Sequence, residues 1–345
     1  MTRCWLINED KAGMAVQCRA LATALGVEAV QQTVVPRRPW KWLPTRWWRH
    51  TSVPFRFGAE VLAPPWPQLV ISCGRHADVV AAAIRRASAG ATYAIHLQSP
   101  RLPRADFDLI IAPRHDGLAG PNVITMLGSL HGLEPRLLAA EAARMKAQVA
   151  PLPRPYVTVL IGGTNRHFRF GEAEAVALAE ALRTACRLSG GSLLVTPSRR
   201  TSPAVLAALA KGLAGVPHTL WNRCGDNPYL AYLGLADHLV VTGDSVNMTT
   251  EACATGKPVH VVRLPGHSAR FAQFHAALEA AGMTRPFSGR LPVWDYPPLL
   301  EMPRVAAEVE ARLGARARVP VRAGTREARV QTGAQVNSSP ERSSG

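Results

Sequence analysis

The residues best suited to bind a phosphate group follow an apolar run at 238–242, which predicts a strand. Gly243 opens a short polar turn after it, and a helix predicted over 247–255 begins at once and carries Glu251. The backbone N–H groups of a helix start and the hydroxyls of such a turn would point to one spot at the strand's carboxyl end. The turn therefore predicts a phosphate or nucleotide site, with candidate contacts Asp244, Ser245, Asn247, Met248, Thr249 and Glu251.

A second turn of the same kind follows the strand predicted over 156–161, where Gly162 and Gly163 precede Thr164 and Asn165. Glycine lets a phosphate approach the backbone, and the hydroxyl and amide can donate hydrogen bonds to it. Two glycines after a strand are equally typical of a structural turn. The spacing matches neither a Walker A loop nor a GxGxxG fingerprint, so the corresponding nucleotide-binding folds are disfavoured.

A third turn ends the strand predicted over 192–196 and contains Ser198, Arg199 and Arg200 before a helix that starts at Pro203. Either guanidinium can pair with a diphosphate. The alternative is that both are solvated loop residues. Because this third turn lies in the same half of the chain as the two other turns, we expect the three turns to form one nucleotide site.

The first half of the chain offers candidates for a general base that removes a proton from a hydroxyl acceptor. Asp10 follows the first predicted strand, His76 follows the strand predicted over 69–72, and His115 stands beside Asp116 in a turn. Each has a structural alternative, because a histidine at a strand end often only makes a local hydrogen bond and Asp-Gly marks a turn.

Short apolar runs alternate with helix-like stretches along most of the chain, which is typical of parallel α/β layers. The pattern is interrupted by Pro151, Pro153 and Pro155, which do not fit inside a helix or a central strand. We therefore predict two Rossmann-like α/β domains, 1–150 and 151–313, that face a cleft. Open α/β sheets bind ligands at the carboxyl ends of their strands, and clefts between domains are common ligand sites.

The net charge of +16 over 345 residues is unevenly distributed. A basic Trp-rich insert at 36–57 has five cations and four tryptophans between residues 36 and 50, without an acid. Indole rings beside cations suit the surface of an anionic membrane. The alternative is a loop that packs on its own domain. This composition also fits binding to single-stranded nucleic acid. No nucleic-acid-binding motif accompanies the insert, so we expect no nucleic acid as a partner. The tryptophans are Trp40, Trp42, Trp47 and Trp48.

Other compositional features narrow the class of protein. No apolar run approaches the roughly 18 residues that span a bilayer. The six cysteines show no metal-finger spacing, so we predict no metal site. They favour reduced thiols, so we predict a cytoplasmic protein. The basic Trp-rich insert predicts that it is peripheral at the inner membrane. The Arg-, Gly- and Ser-rich segment 314–345 predicts a disordered basic tail.

Several motifs in series resemble the bacterial relatives of the plant elongated-mitochondria fission factor, a family whose architecture is similar to that of GT-B glycosyltransferases. They are DFDLIIAPRHD (106–116), LIGG (160–163), TPSRRT (196–201), NPY (227–229), TGDSVNM (242–248) and TGKPV (255–259). The resemblance implies a nucleotide-sugar in the C-terminal domain, with Glu251 on the ribose, and an acceptor on the N-terminal domain. The Trp-rich insert would then contact the membrane.

We predict a GT-B-like protein that binds a nucleoside-diphosphate sugar as donor substrate and transfers the sugar to a membrane or envelope acceptor, without a metal or other cofactor. The alternative is a non-catalytic membrane-associated scaffold of the same fold. Bacterial members of this family have often been labelled nucleoside-diphosphate-sugar epimerases. A short-chain epimerase fits less well, because no N-terminal GxxGxxG accompanies a Tyr-xxx-Lys pair.

Overall fold

A computed structural model describes residues 3–9, 12–35, 56–57 and 64–318 of the chain. The predicted Asp10, the four tryptophans of the insert and most of the predicted tail lie outside these described residues. The tail was predicted to begin at residue 314. Residues 314–318 instead form the end of a helix, because alanine and arginine are good helix formers.

The first domain is built on a seven-stranded sheet in the order β3-β2-β1-β4-β5-β6-β7. All its strand pairs are parallel except the short β2–β3 pair. The central strands are apolar without alternation because helices cover both faces of the sheet. Its strands are β1 (Cys4–Asn8), β2 (Ala29–Val35), β3 (Arg56–Phe57), β4 (Leu69–Cys73), β5 (Tyr93–Leu97), β6 (Leu109–Pro113) and β7 (Val123–Met126), and its helices include α1 (Ala12–Ala24) and α2 (Ala77–Ala87).

The second domain has a six-stranded parallel sheet in the order β10-β9-β8-β11-β12-β13. The edge strand β13 was not predicted from the sequence, because it is only three residues long and ends in proline. The strands are β8 (Tyr156–Ile161), β9 (Ser192–Pro197), β10 (His218–Leu220), β11 (His238–Thr242), β12 (Val259–Val262) and β13 (Thr284–Pro286). The helices are α4 (Glu172–Ser189), α5 (Pro203–Gly212), α6 (Tyr229–Leu235), α7 (Val246–Cys253) and α8 (Ala269–Ala280).

Two helices connect the domains. Helix α3 (Pro135–Val149) follows the first sheet but packs along α6 of the second domain. The last helix, α9 (Glu301–Arg318), returns to the first domain and buries Val305 and Val309 in its core. The predicted architecture of two Rossmann-like α/β sheets is thus confirmed.

The close contact between α3 and α6 gives a prediction that reverses the usual preference for alanine over glycine in helices. A Cβ atom at Gly234 would lie 2.3 Å from the carbonyl oxygen of Leu138 on α3. Gly234→Ala should therefore destabilise the protein by about 1–3 kcal/mol. Nothing lies within 4 Å of a Cβ at Gly314 in α9, so Gly314→Ala should stabilise by about 0.5–1 kcal/mol.

Urea denaturation of the two variants measures both effects. A Gly234→Ala protein as stable as the wild type would show that α3 and α6 are not in this contact.

Candidate functional site

Asp244 lies where the three polar turns of the second domain meet. Its side chain is fully buried, and Oδ2 accepts hydrogen bonds from the Gly163 N–H (3.0 Å) and from Nη2 of Arg200 (2.5 Å). The turns converge because β9, β8 and β11 are neighbours in the sheet and end at the same edge. We call this the carboxyl edge, since parallel strands end there. A carboxylate thus occupies the centre of the region where the sequence predicts a phosphate.

The two glycines of the β8 turn are required by this packing. A Cβ at Gly162 would lie 2.1 Å from Oδ1 of Asp244, and one at Gly163 would lie 2.2 Å from the Arg200 carbonyl oxygen. The Gly162 N–H donates to Oγ1 of Thr242 at 2.7 Å. Both glycine amides therefore have partners within the protein.

The polar side chains after these glycines hold the loop together. Oγ1 of Thr164 donates to the carbonyl of Phe170 and accepts from its N–H. Oδ1 of Asn165 accepts from the amides of His167 and Phe168, and its Nδ2 donates to the Asp244 carbonyl at 3.1 Å. In this state both side chains are engaged inside the turn rather than directed at a ligand.

The β9 turn presents two exposed arginines, of which Arg200 is anchored by an ion pair. Arg199 is exposed, whereas Arg200 is held by Asp244, and its N–H donates to Oγ of Ser198 at 3.2 Å. The next residue, Thr201, donates through Oγ1 to the Gly162 carbonyl at 2.5 Å and so ties the β8 and β9 turns together.

Helix α7 starts at the carboxyl edge with Ser245 as its N-cap, whose Oγ accepts from the Met248 N–H at 3.3 Å. Oγ1 of Thr249 donates back to the Ser245 carbonyl, and Met248 packs against the core of the domain. These three predicted contacts therefore shape the helix start, where the positive end of the helix dipole faces the cleft.

Glu251 forms a short hydrogen bond with Tyr229, which the sequence did not reveal because Tyr229 lies on another helix. The Tyr229 hydroxyl donates to Oε2 of Glu251. Burial raises the pKa of the Glu251 carboxyl to about 6, against the lowering effect of this bond. Burial also raises the pKa of the Tyr229 hydroxyl. The predicted ribose contact is thus an acceptor already paired with a phenol.

A cavity of about 430 Å³ opens beside this cluster at the ends of β11 and β12. Nε2 of His275 donates to the Gly243 carbonyl at 2.9 Å, and burial lowers the pKa of the imidazole, which favours the neutral ring. Phe168 and Phe271 meet edge to face at 5.1 Å. A cavity of this size, lined by aromatic rings and several polar side chains, is typical of a small-molecule site. Its lining includes Phe168, Gly243, Arg263, His267, Phe271 and His275.

The start of α7 also contacts the first domain across the cleft. Nε2 of Gln17 on α1 lies 3.4 Å from Oδ1 of Asn247, and a Cβ at Gly13 would lie 2.9 Å from Nδ2 of Asn247. Asn247 was predicted to contact a phosphate, and here it lies against α1. Thr250 packs on Gly128 in the loop after β7. The two carboxyl edges therefore face each other at close range.

His76 is paired with a carboxylate that the sequence analysis passed over. Nδ1 of His76 lies 3.2 Å from Oε1 of Glu9, which also accepts from the His76 backbone N–H at 2.9 Å. Both side chains are mostly buried. The pair forms because β1 and β4 are adjacent parallel strands, so Glu9 and His76 both follow strand ends at the carboxyl edge of the first sheet. The position of Glu9 directly after β1 was the available signal.

His115 and Asp116 lie at a contact between the domains. Nε2 of His115 is 3.7 Å from Oδ1 of Asp116, which in turn pairs with Arg270 on α8. The His115 ring packs against Phe274 at 5.3 Å, and burial lowers its pKa. These residues join the first domain to the helix that lines the cavity, and their contacts there are those of a domain interface.

The described part of the chain holds no group of three or more His, Cys, Asp or Glu side chains placed to bind a metal ion. Within the same residues, no helix is both long and apolar enough to cross a membrane.

A family model described as mitochondrial fission ELM1 matches residues 12–313. The chain belongs to this ELM1 family. It is 31% identical over 277 residues to the mitochondrial fission protein ELM1 of Arabidopsis thaliana. That match covers 72% of the chain and 65% of the plant protein, so it spans less than two thirds of that relative's length. An uncharacterized protein of Rickettsia prowazekii is 23% identical, with 90% of the chain and 98% of that protein covered.

Solved structures establish the fold of this ELM1-family protein. The UDP-GlcNAc 2-epimerase of Methanocaldococcus jannaschii is similar with a TM-score of 0.54 and 10% identity, covering 90% of this chain and 99% of that one. A structure of the same enzyme in complex with UDP-GlcNAc and UDP gives a TM-score of 0.53 at 10% identity, with 90% and 100% covered. At this identity the likeness concerns the fold alone, which is of the GT-B type.

The buried charge of Asp244 gives a prediction about stability in this ELM1-family protein. Asp244→Asn removes the charge opposite Arg200 and replaces an acceptor by an amide, so it should destabilise the fold by about 2–4 kcal/mol. The matched change at the exposed Asp226, Asp226→Asn, should alter stability by less than about 0.5 kcal/mol. Chemical denaturation of both variants is the measurement, and equal effects would contradict the central role of the carboxylate.

Glu251 gives a prediction about pH. Its folded-state pKa of about 6 lies above the ordinary value of 4.5, so its contribution to stability is present at low pH and is lost as the pH rises through 6. Relative to Glu251→Gln, the unfolding free energy of the wild type should fall by about 2 kcal/mol between pH of about 4.5 and 7. Denaturation across this range tests it. A difference independent of pH would mean that Glu251 is not desolvated.

Proposed function

We propose that the second domain binds a nucleoside-diphosphate sugar and that the protein transfers the sugar to an acceptor on the first domain. The observation that carries this proposal is the cavity beside Gly243, which opens at the carboxyl edge next to the start of α7. A helix start and nearby arginines suit a diphosphate, and an aromatic-lined cavity suits a sugar or a base.

The transfer forms a bond between an acceptor oxygen and the anomeric carbon and breaks the bond from that carbon to the diphosphate. Negative charge then develops on the leaving diphosphate. The start of α7 and the exposed Arg199 supply positive potential for it, while Asp244 fixes Arg200 at the same edge. This assignment uses no metal.

His76 is the residue we assign to accept the proton of the acceptor hydroxyl. Its Nδ1 faces the Glu9 carboxylate, which orients the ring and stabilises the imidazolium that forms. The contact of Asn247 with α1 supports a short distance between this pair and the donor site.

An epimerase of the same fold is a second candidate, because solved UDP-GlcNAc 2-epimerases share this architecture. A third is a scaffold without turnover. The hydrogen bonds of Asp244 favour the scaffold, because the Gly163 amide and Arg200 are already bonded to this carboxylate and not to a ligand. Incubation with UDP-GlcNAc and an envelope lipid extract separates the three: transfer yields a glycosylated product, epimerisation yields a new nucleotide-sugar, and a scaffold yields neither.

We also propose that the basic Trp-rich insert contacts an anionic membrane and makes the protein peripheral there. The chain leaves β2 at Val35 and re-enters the sheet at Arg56, which pairs with Val35. Both ends of the insert are therefore attached at the carboxyl edge of the first domain. This supports a membrane surface on the side where the acceptor would bind.

The proposed donor site predicts that UDP binds the wild-type protein and that Glu251→Ala weakens the binding. Loss of a hydrogen bond between a ribose hydroxyl and a carboxylate should reduce the affinity about 10- to 100-fold. Isothermal titration calorimetry measures the affinity, and Glu180→Ala on the exposed face of α4 is the matched control that should leave it unchanged. Absence of UDP and UDP-GlcNAc binding to the wild type would reject the donor site.

A further inference from the structure

Three exposed arginines stand on adjacent loops at the carboxyl edge of the first sheet. Arg75 follows β4, Arg101 follows β5, and Arg114 follows β6 directly. These strands are consecutive neighbours in the sheet, and neighbouring strands lie about 4.8 Å apart. Within the described residues none of the three takes part in an ion pair. We call Arg75, Arg101 and Arg114 the arginine rim.

In the part of the chain that the structure describes, the carboxylates nearest the arginine rim are buried and hydrogen-bonded or paired with other groups. Glu9 pairs with His76, and Asp116 pairs with Arg270 of the second domain. The side chain of Asp116 is 1% exposed, and Asp78 is wholly buried. Exposed cations above buried acids leave a positive surface potential, which attracts anions into a cleft.

One of these buried acids positions the rim. Oδ2 of Asp78, in the first turn of α2, accepts a hydrogen bond from the Arg101 backbone N–H at 2.8 Å. This bond fastens the loop after β5 to the helix that follows Arg75. Two of the three rim residues are therefore held by the same element, at a fixed place on the edge.

We propose that the arginine rim binds a phosphate group of the acceptor, so that the acceptor class is a phosphorylated molecule. Assigning the bound molecule as the acceptor rests on the proposed function, whereas the anion site itself does not. Arginine suits phosphate because its planar guanidinium donates two parallel hydrogen bonds to two oxygens. Arg75 immediately precedes His76, so a phosphate on the rim would hold the rest of the acceptor near the assigned base.

The phosphate can belong to a lipid headgroup or to a soluble compound. Both share the chemistry that the rim recognises. The attachment of the Trp-rich insert at the same edge brings a membrane surface into consideration, and the test therefore includes both a soluble probe and a vesicle.

The test compares the triple variant Arg75→Gln, Arg101→Gln, Arg114→Gln with a control triple of the same charge change. The control, Arg136→Gln, Arg187→Gln, Arg290→Gln, alters exposed arginines away from the rim. Each full-length protein is titrated with inorganic pyrophosphate in the presence of excess UDP, which occupies the donor site. The rim triple should weaken pyrophosphate binding at least tenfold, and the control should stay within about twofold of the wild type.

The second arm measures co-sedimentation with phosphatidylcholine vesicles that contain phosphatidylglycerol. A loss confined to the rim triple in this arm assigns the phosphate to a lipid, whereas a loss in the pyrophosphate arm alone assigns it to a soluble acceptor. Equal behaviour of the two triples in both arms would overturn the proposal. UDP affinity is measured on the same proteins: if UDP fails to bind the wild type, the donor site fails, while the pyrophosphate result still judges the rim.

Discussion

The buried carboxylate of Asp244 is the interaction on which the candidate site depends. A charge with no solvent exposure is costly unless it is paired and hydrogen-bonded, and here the pairing comes from the Gly163 amide and Arg200. Satisfying this charge requires glycine at two successive positions and brings the ends of β8, β9 and β11 together. The geometry of the cavity and of the start of α7 follows from that convergence.

The parallel topology of both sheets explains why chemically different groups face one cleft. Parallel strands all end at one edge, so each sheet presents its polar loops there. In the first domain these loops carry the Glu9–His76 pair and the arginine rim. Helix α8 links the two edges, because Arg270 and Phe274 contact the first domain while Phe271 and His275 line the cavity. A ligand in the cavity therefore touches the same helix that joins the domains.

The fold class and the convergence of the three polar turns could be predicted from the sequence, because an apolar run followed by a polar turn identifies a strand end. The partners of the site residues could not. A glycine turn accepts a phosphate or a protein carboxylate equally well, so the sequence does not reveal that Asp244 fills the turn after β8. Tyr229 and Glu251 lie on different helices, and no local pattern connects them. Glu9 was missed because Asp10 beside it has the same chemistry. The exchange of α3 and α9 between domains depends on long-range packing.

We propose that the carboxyl edge of the second domain holds a nucleotide-sugar. The most direct test is a crystal structure of the full chain grown with UDP-GlcNAc. We expect the diphosphate at the start of α7 beside Arg199, with the ribose against Glu251 and the rest of the ligand in the cavity lined by Phe271 and His275. A nucleotide bound elsewhere, or an empty cavity at saturating ligand, would contradict it.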